Sequence, residues 1–231
     1  MGKYLLYRQT VYYVKKIIQK LFSKSQGDIK KCIDEADVIS FDLFETLVII
    51  RNKIPESVFI KIEGYYTRLG KSFANDFTEE RIKAERRVRK MFNSREISIQ
   101  DIYDYFDLHG FKIDKKQLID TEIAFELESA ISNKNGKELF EYACKKGKKI
   151  IVITDFYFSN SAIANILEKC GYKNIDTIYV SSEYGKTKAN GELYELIMDE
   201  LHNTRIVHIG DNYKVDYVRA RQKGFESCIL D

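Results

Sequence analysis

Three aspartates that lie far apart in the sequence have the clearest potential for chemistry. Asp42 ends the apolar run at residues 38–41, whereas Asp211 and Asp216 follow a second apolar run at 206–210. In a parallel α/β sheet the carboxyl ends of the strands meet, and such folds build their sites there. Carboxylates gathered at one place repel one another, so a hard divalent cation such as Mg²⁺ is the natural reason to cluster them.

Two further motifs follow other apolar runs. Thr154 and Asp155 come directly after residues 150–153, and a lysine, either Lys186 or Lys188, follows the predicted strand at 177–180. Each motif alone is a weak signal, because polar residues follow apolar runs in many proteins. Four of them, each at a predicted strand end, favour one shared site. The alternative for Asp155 is a purely local role, as a cap on the turn that follows it.

These motifs, in this order, resemble the haloacid dehalogenase-like superfamily over residues 38–54 and 133–231. The specific matches are Asp42-(x)3-Thr46 and Gly210-Asp211-(x)4-Asp216. The resemblance is closer to a bacterial subgroup whose first motif is F-D-x-F-[DE]-T-L. Members of that subgroup are often found beside or fused to glycosyltransferases of surface-polysaccharide assembly. The resemblance therefore implies a glycosyltransferase as partner and a sugar phosphate or polysaccharide precursor as substrate.

The resemblance also implies Mg²⁺-dependent hydrolysis or transfer of a phosphoryl group. Asp42 would attack phosphorus and form an aspartyl-phosphate, which divides one difficult step into two. Thr154 would hydrogen-bond the phosphoryl oxygens, and Lys188 would neutralise their charge. The implied Mg²⁺ ligands are Asp42, Asp211, Asp216 and the backbone carbonyl of Phe44.

Phe44 departs from the phosphatase pattern. Phosphatases of this superfamily usually have a second aspartate there, which protonates the leaving group; such acid–base help is worth about 10²- to 10⁴-fold in rate. The acid would then come from Glu45, the cap or the substrate, although a shift of one residue turns the Glu45 side chain away. Alternatively, the chain is a weak or inactive interaction module of a polysaccharide-assembly complex. Dehalogenation, which also uses an aromatic residue there, ranks last because Asp211 retains the metal carboxylate.

The pattern of elements predicts an α/β fold, namely a doubly wound parallel sheet with a Rossmann-like core and an α-helical cap inserted after the first strand. The predicted strands are 38–41, 149–153, 177–180, 205–209 and 227–230. The predicted core helices are 133–146, 159–170, 189–202 and 212–223. The cap helices are 55–69, 77–92, 98–108 and 114–131. The predicted domains are the core, 28–54 with 132–231, the cap, 55–131, and a basic helix with its linker, 1–27.

The amino-terminal residues 1–31 carry an excess of positive charge. Residues 1–31 hold eight basic residues and one acid, a net charge of +7, whereas the whole chain carries +3, so the other 200 residues carry −4. A predicted helix at 4–23 has one apolar face, formed by Val14, Ile17, Ile18, Leu21 and Phe22. This face either packs on the body or on a second copy, or attaches to an anionic membrane surface or a partner protein.

Composition excludes several classes of function. The 231 residues, 44% apolar and 32% charged, are typical of a globular protein. The four cysteines are too far apart for a zinc motif and fit reduced thiols in a cytoplasmic protein. For the location of the protein, the alternative is peripheral attachment to a membrane through residues 1–27. The basic run at 81–90 predicts a solvated, ion-paired face, with a phosphate-recognising surface as the alternative. Nucleic-acid binding is not expected, because it needs a larger basic excess than this mildly acidic body has. His208, within a strand, is predicted to be a satisfied core residue.

Overall fold

The computed structural model describes residue 14 and residues 17–51, 57–71, 76–93, 95–107 and 113–230. A five-stranded parallel sheet forms its centre, in the order β5-β4-β1-β6-β7, and a separate two-stranded ribbon pairs β2 with β3. The strands are β1 (Val38–Phe41), β2 (Val48–Ile50), β3 (Ala130–Ser132), β4 (Lys149–Thr154), β5 (Thr177–Val180), β6 (Ile206–Gly210) and β7 (Glu226–Ile229). The predicted α/β class and parallel sheet are confirmed.

Helices flank the sheet and fill the segment between β2 and β3. They are α1 (Gln26–Glu35), α2 (Ser57–Arg68), α3 (Phe77–Met91), α4 (Ile99–Asp104), α5 (Lys115–Ser129), α6 (Lys134–Lys145), α7 (Asn160–Lys169), α8 (Ser181–Tyr184), α9 (Glu192–Glu200) and α10 (Ala220–Gln222). A π-helix, Tyr213–Arg219, leads into α10. The sheet strands β1, β4 and β6 are buried almost throughout, as continuous apolar runs in a parallel sheet require.

The segment between β2 and β3 is helical, as the sequence predicts, but its end differs from the prediction. Ala130–Ser132 does not continue the last helix; it pairs antiparallel with Val48–Ile50. Three-residue strands are too short to show a period, so the sequence could not separate this ribbon from the neighbouring helix and loop. The predicted helix-start signal at Pro55 and stop at Gly110 lie outside the described residues.

The helical insert lies over the carboxyl ends of the sheet strands. The backbone N–H of Ile99 donates to the carbonyl of Tyr157, just after β4, at 2.7 Å. The N–H of Glu96 donates to the carbonyl of Gly185, after β5, at 3.2 Å. These bonds fix the insert above the part of the sheet where the sequence places its candidate residues.

Arg81 corrects the expectation of a solvated basic face on α3. Its side chain is fully buried and donates two hydrogen bonds to the Glu122 carboxylate, from Nε at 2.9 Å and from Nη2 at 2.8 Å. Tyr103 donates to the same carboxylate at 2.7 Å, and the guanidinium lies 5.2 Å from the ring of Tyr157. A buried charge requires such partners, and the sequence pattern does not show which member of a basic run is turned inward.

The amino-terminal segment differs in part from its prediction. Residues 17–22 are helical, whereas most of the predicted helix at 4–23 lies outside the described residues. Gln26 and Gly27, expected to belong to a linker, instead begin α1, and Ser25 caps this helix by accepting a hydrogen bond from the N–H of Asp28 at 3.2 Å. Within the described ranges, none of the helices has the length and apolar character that a bilayer crossing requires.

Candidate active site

The sheet brings the three separated aspartates together. Asp42 follows β1 and Asp211 follows β6, and these strands are neighbours, with Phe41 paired to Ile209. Asp216 lies one turn further, in the π-helix. One carboxylate oxygen from each of the three aspartates lies within 4.8 Å of the other two. Strand register therefore explains how residues some 170 positions apart share one cluster.

Lys188 completes this cluster with a positive charge. Its buried ammonium contacts Oδ1 of Asp42 and lies 2.8 Å from Oδ1 of Asp216. Of the two lysines that the sequence left open, Lys188 rather than Lys186 is therefore the one placed between the aspartates. An ammonium between two carboxylates reduces their mutual repulsion while leaving a net negative charge.

Asp155 holds the loop that carries Lys188. Its carboxylate accepts hydrogen bonds from the backbone N–H groups of Lys188, at 2.7 Å, and Ala189, at 3.1 Å. The sequence allowed Asp155 to be a cap for the turn that follows it; this expectation is wrong, because the capped segment lies some 33 residues away along the chain. Asp155 thus positions the ammonium of Lys188 through its backbone.

Asp216 is fixed by the backbone around it. The N–H of Asn212 donates to its Oδ2 at 2.9 Å, and Gly210 packs directly against its side chain. A Cβ on residue 210 would lie 2.5 Å from Cγ of Asp216, a distance that real atoms do not tolerate. Only glycine therefore allows the carboxylate of Asp216 to approach the end of β6 so closely.

His208 and Ser40 form a buried second layer behind Asp216. The two residues are paired in the sheet register, and Ser40 Oγ lies 2.7 Å from Nδ1 of His208. Nε2 of His208 lies 3.3 Å from Oδ1 of Asp216. Burial lowers the pKa of His208, so the ring is neutral. The sequence predicts a satisfied core histidine, and the ring is satisfied, but its contact with Asp216 is visible only once the register is known.

The cluster has unequal acidities. Burial raises the pKa of Asp42 to about 8; Lys188 opposes this shift, and the nearby carboxylates of Asp216 and Asp211 add to it. Burial would also raise the pKa of Asp216, but Lys188 and His208 keep it below its ordinary range. The uncompensated negative charge suits a divalent cation, and carboxylate oxygens are the ligands that Mg²⁺ prefers. The residues present therefore fit magnesium.

The loop after Asp42 places an aromatic ring two residues after this aspartate. Phe44 is half-buried, and its ring lies 4.6 Å from that of Phe156. Glu45 has a left-handed backbone with φ of 63° and an exposed side chain. The Thr46 hydroxyl is buried and has no hydrogen-bond partner among the described residues. Glu45 therefore does not share the buried surroundings of Asp42.

Two more residues belong to this neighbourhood. Thr154 is the buried last residue of β4, which lies next to β1, so it ends at the same side of the sheet as Asp42. Tyr194, on α9, is fully buried with its ring 5.3 Å from that of His208. Its hydroxyl has no hydrogen-bond partner among the described residues, and Lys188 lies close enough to influence its pKa. The sequence carries no signal that singles out Tyr194.

The sequence was compared with known protein families and with curated proteins. Residues 36–222 match the sequence profile of a family described as haloacid dehalogenase-like hydrolase. No curated protein sequence matches the chain.

Solved structures show the same fold at low sequence identity. A 2-haloacid dehalogenase from Pseudomonas syringae pv. Tomato has a TM-score of 0.62 and 16% identity, covering 83% of this chain and 85% of that one. Magnesium-bound YfnB from Bacillus subtilis has a TM-score of 0.58 and 14% identity, covering 84% and 88%. A Thermotoga maritima protein described as a β-phosphoglucomutase has a TM-score of 0.51 and 15% identity, covering 82% of each chain.

Proposed function

The chain belongs to the haloacid dehalogenase-like hydrolase family, and from this premise we propose that it is a Mg²⁺-dependent phosphoryl hydrolase or transferase that works through an aspartyl-phosphate on Asp42. The observation that carries the proposal is the group of Asp42, Asp211 and Asp216, in which one carboxylate oxygen from each lies within 4.8 Å of the others. The ammonium of Lys188 lies between Asp42 and Asp216. A buried carboxylate beside a fixed cation is suited to nucleophilic attack on an anion.

The proposed first step uses the side chains in distinct ways. A carboxylate oxygen of Asp42 attacks phosphorus, the new P–O bond forms, and the bond from phosphorus to the leaving oxygen breaks. Lys188, held by Asp155, stays beside the nucleophile and offsets the charge of the phosphoryl oxygens. Thr154, at the end of the adjacent strand, would donate a hydrogen bond from its hydroxyl group to a phosphoryl oxygen.

The same residues would hold the cation. Asp42, Asp211 and Asp216, with the backbone carbonyl of Phe44, would bind Mg²⁺, which when bound shields the attacking carboxylate from the phosphate. Asp42 attacks only when deprotonated, and the raised pKa of about 8 belongs to the cluster without a cation. A nearby positive charge lowers the pKa of a carboxyl group, so loading the site also prepares the nucleophile.

Proton transfer to the leaving group is the weak part of this site. Phe44 can neither donate nor accept a proton, and Glu45 has an exposed side chain. The leaving oxygen then takes its proton from water or from the substrate itself. A carboxylate at position 44 would also activate water for attack on the phosphorus of the aspartyl-phosphate. Without it, the second step, in which the bond from Asp42 to phosphorus breaks and phosphate leaves, is slowed too. We therefore propose slow turnover, or a substrate with a stable leaving group.

The proposed substrate class is a sugar phosphate or a related polysaccharide precursor, with a glycosyltransferase as partner. This part rests on the first motif, Phe41–Leu47, and on its resemblance to proteins of polysaccharide assembly. The principal competing proposal is a weak or inactive interaction module in such an assembly, and the observation that favours it is Phe44. Dehalogenation remains third, because three metal-type carboxylates are more than that reaction needs.

One panel of assays separates these proposals. The full chain is incubated with an aryl phosphate, with sugar phosphates and with 2-chloropropionate, each with and without Mg²⁺. Phosphate release that depends on Mg²⁺ and is abolished in Asp42→Asn supports the proposal. Asp199→Asn, an exposed position on α9, is the matched control and should keep wild-type activity. Equal rates in wild type and Asp42→Asn would remove the enzymatic proposal, and chloride release would replace it with dehalogenation.

A further inference from the structure

The amino-terminal helix has an exposed apolar face. Residue 14 and residues 17–22 are helical, and the exposed fractions of four apolar side chains are 49% for Val14, 61% for Ile17, 74% for Leu21 and 44% for Phe22. Their spacing of three, four and one residues places them on one side of a helix. The sequence left open that this face packs on the body, but the side chains of Ile17 and Leu21 are exposed instead.

The helix is nevertheless fixed firmly to the core, through other residues. Gln19 Nε2 donates to the carbonyl of Leu230 at 2.7 Å, and Ser23 forms a parallel bridge with Ile229. Phe22 uses one side of its ring to stack on Tyr213, with ring centroids 4.1 Å apart. A contiguous exposed apolar face on an anchored helix is typical of a surface that binds a partner or a membrane.

This anchoring places the helix at the same end of the sheet as the carboxylate cluster. Leu230 donates its N–H to the carbonyl of Gly210 at 2.9 Å, and Gly210 immediately precedes Asp211. Tyr213, which receives Phe22, lies two residues after Asp211. The helix therefore lies at the carboxyl end of β6 and β7, the same end of the sheet as the candidate site.

Charge indicates the chemistry of the partner. Lys20 and Lys24 are exposed next to the apolar face, and residues 1–31 carry a net charge of +7 while the rest of the chain carries −4. Basic residues that flank an apolar helical face are typical of helices lying in the headgroup region of anionic bilayers. A second copy is disfavoured, because pairing two such segments would bring two clusters of +7 together.

We infer that the helix containing Val14 and residues 17–22 docks the protein on an anionic lipid surface, with Ile17 and Leu21 entering the acyl boundary and Lys20 and Lys24 contacting the headgroups. Docking in this way holds the carboxyl end of the sheet, and so the carboxylate cluster, next to the membrane. The inference does not depend on the proposed phosphoryl chemistry, because binding is measured without substrate.

The test is co-sedimentation of the full chain with lipid vesicles. Vesicles of phosphatidylcholine with about 30% phosphatidylserine are compared with phosphatidylcholine alone, at low and high salt. The test variant is Ile17→Gln with Leu21→Gln. The matched control is Ile60→Gln with Leu69→Gln, two side chains on the insert that are 60% and 55% exposed.

The wild type and the control pair should sediment with the anionic vesicles, and the test pair should bind at least about tenfold more weakly. Binding should also fall at high salt and with Lys20→Glu combined with Lys24→Glu. Absence of wild-type binding to anionic vesicles, or equal loss in both pairs, would overturn the inference. A dimeric mass by light scattering that only the test pair abolishes, without vesicle binding, would assign the face to a second copy instead.

Discussion

The ring of Phe44 packs against the ring of Phe156, with centroids 4.6 Å apart, and so turns the position two residues after Asp42 into part of an aromatic contact. Phe156 in turn stacks on Tyr157, whose ring lies against the buried guanidinium of Arg81 in the insert. Phe44 thus links the loop after Asp42 to the core and, through Phe156 and Tyr157, to the insert.

Phe44→Asp should increase turnover of an unactivated phosphate monoester by about 10²- to 10⁴-fold, because the new carboxyl can protonate the leaving oxygen. The measurement is steady-state phosphate release in the presence of Mg²⁺. Phe44→Asn is the matched control, since it also removes the aromatic contact but cannot transfer a proton. Equal rates for the two variants would show that the missing acid does not limit the reaction.

The rate of the wild type should depend steeply on the leaving group. Without an acid to protonate it, the leaving oxygen departs with developing negative charge, so aryl phosphates with more acidic phenols should react faster. A series of substituted phenyl phosphates gives the slope of log kcat/KM against phenol pKa. This slope should become shallower in Phe44→Asp. An unchanged slope would contradict the proposed lack of proton transfer at Phe44.

Gly210→Ala should destabilise the fold by about 1–3 kcal/mol, because the added methyl overlaps the side chain of Asp216. Displacement of Asp216 should also weaken Mg²⁺ binding measured by calorimetry. The control is Gly64→Ala on α2, where the added Cβ would lie 3.6 Å from the flexible end of the Arg68 side chain. This variant should increase the free energy of unfolding by about 0.5–1 kcal/mol, because alanine is favoured over glycine within a helix. Urea denaturation gives both free energies, and an undiminished stability of Gly210→Ala would contradict the packing argument.

Glu126 should make stability depend on pH. Burial, with Glu122 nearby, raises the pKa of Glu126 from an ordinary value of 4.5 to about 7. Between these values the folded chain holds a proton that the unfolded chain has released, so the contribution of Glu126 to the unfolding free energy falls as pH rises and levels off above 7.

Glu126→Gln removes this titration and should therefore match the wild type near pH 4 but exceed its stability by about 1–3 kcal/mol near pH 8. Urea denaturation at several pH values provides the measurement. Glu128→Gln, at an exposed position on the same helix, should leave the pH dependence of the wild type unchanged. A constant difference between Glu126→Gln and wild type across this range would show that Glu126 has no raised pKa.

Sequence patterns predicted the elements that carry long or repeated signals. The strands at 38–41 and 177–180 have the predicted bounds, because polar residues flank each of these short runs and mark its ends. The grouping of Asp42 with Asp211 was also accessible, since parallel strands end on one side of the sheet. The order of the strands in the sheet and their register, however, depend on packing between distant segments, so the sequence pattern did not predict them.

Residues outside these patterns were missed for a physical reason. Tyr194 lies on a helix and Ser40 on a strand, and the local sequence of each indicates only a buried position. The residues that surround each of these side chains come from distant parts of the chain. Arg81 is similar, since one arginine among several basic residues is selected for burial by the position of Glu122. Long-range polar contacts of this kind have no local signature.

The ribbon that pairs Val48 with Ser132 brings the chain back to the point from which it departed. Residues 51–129 consequently form a loop-like insertion whose two junctions are adjacent, so its replacement requires no rethreading of the central sheet. We expect lineages that share this scaffold to exchange the inserted helices while the carboxylate cluster beneath them stays constant.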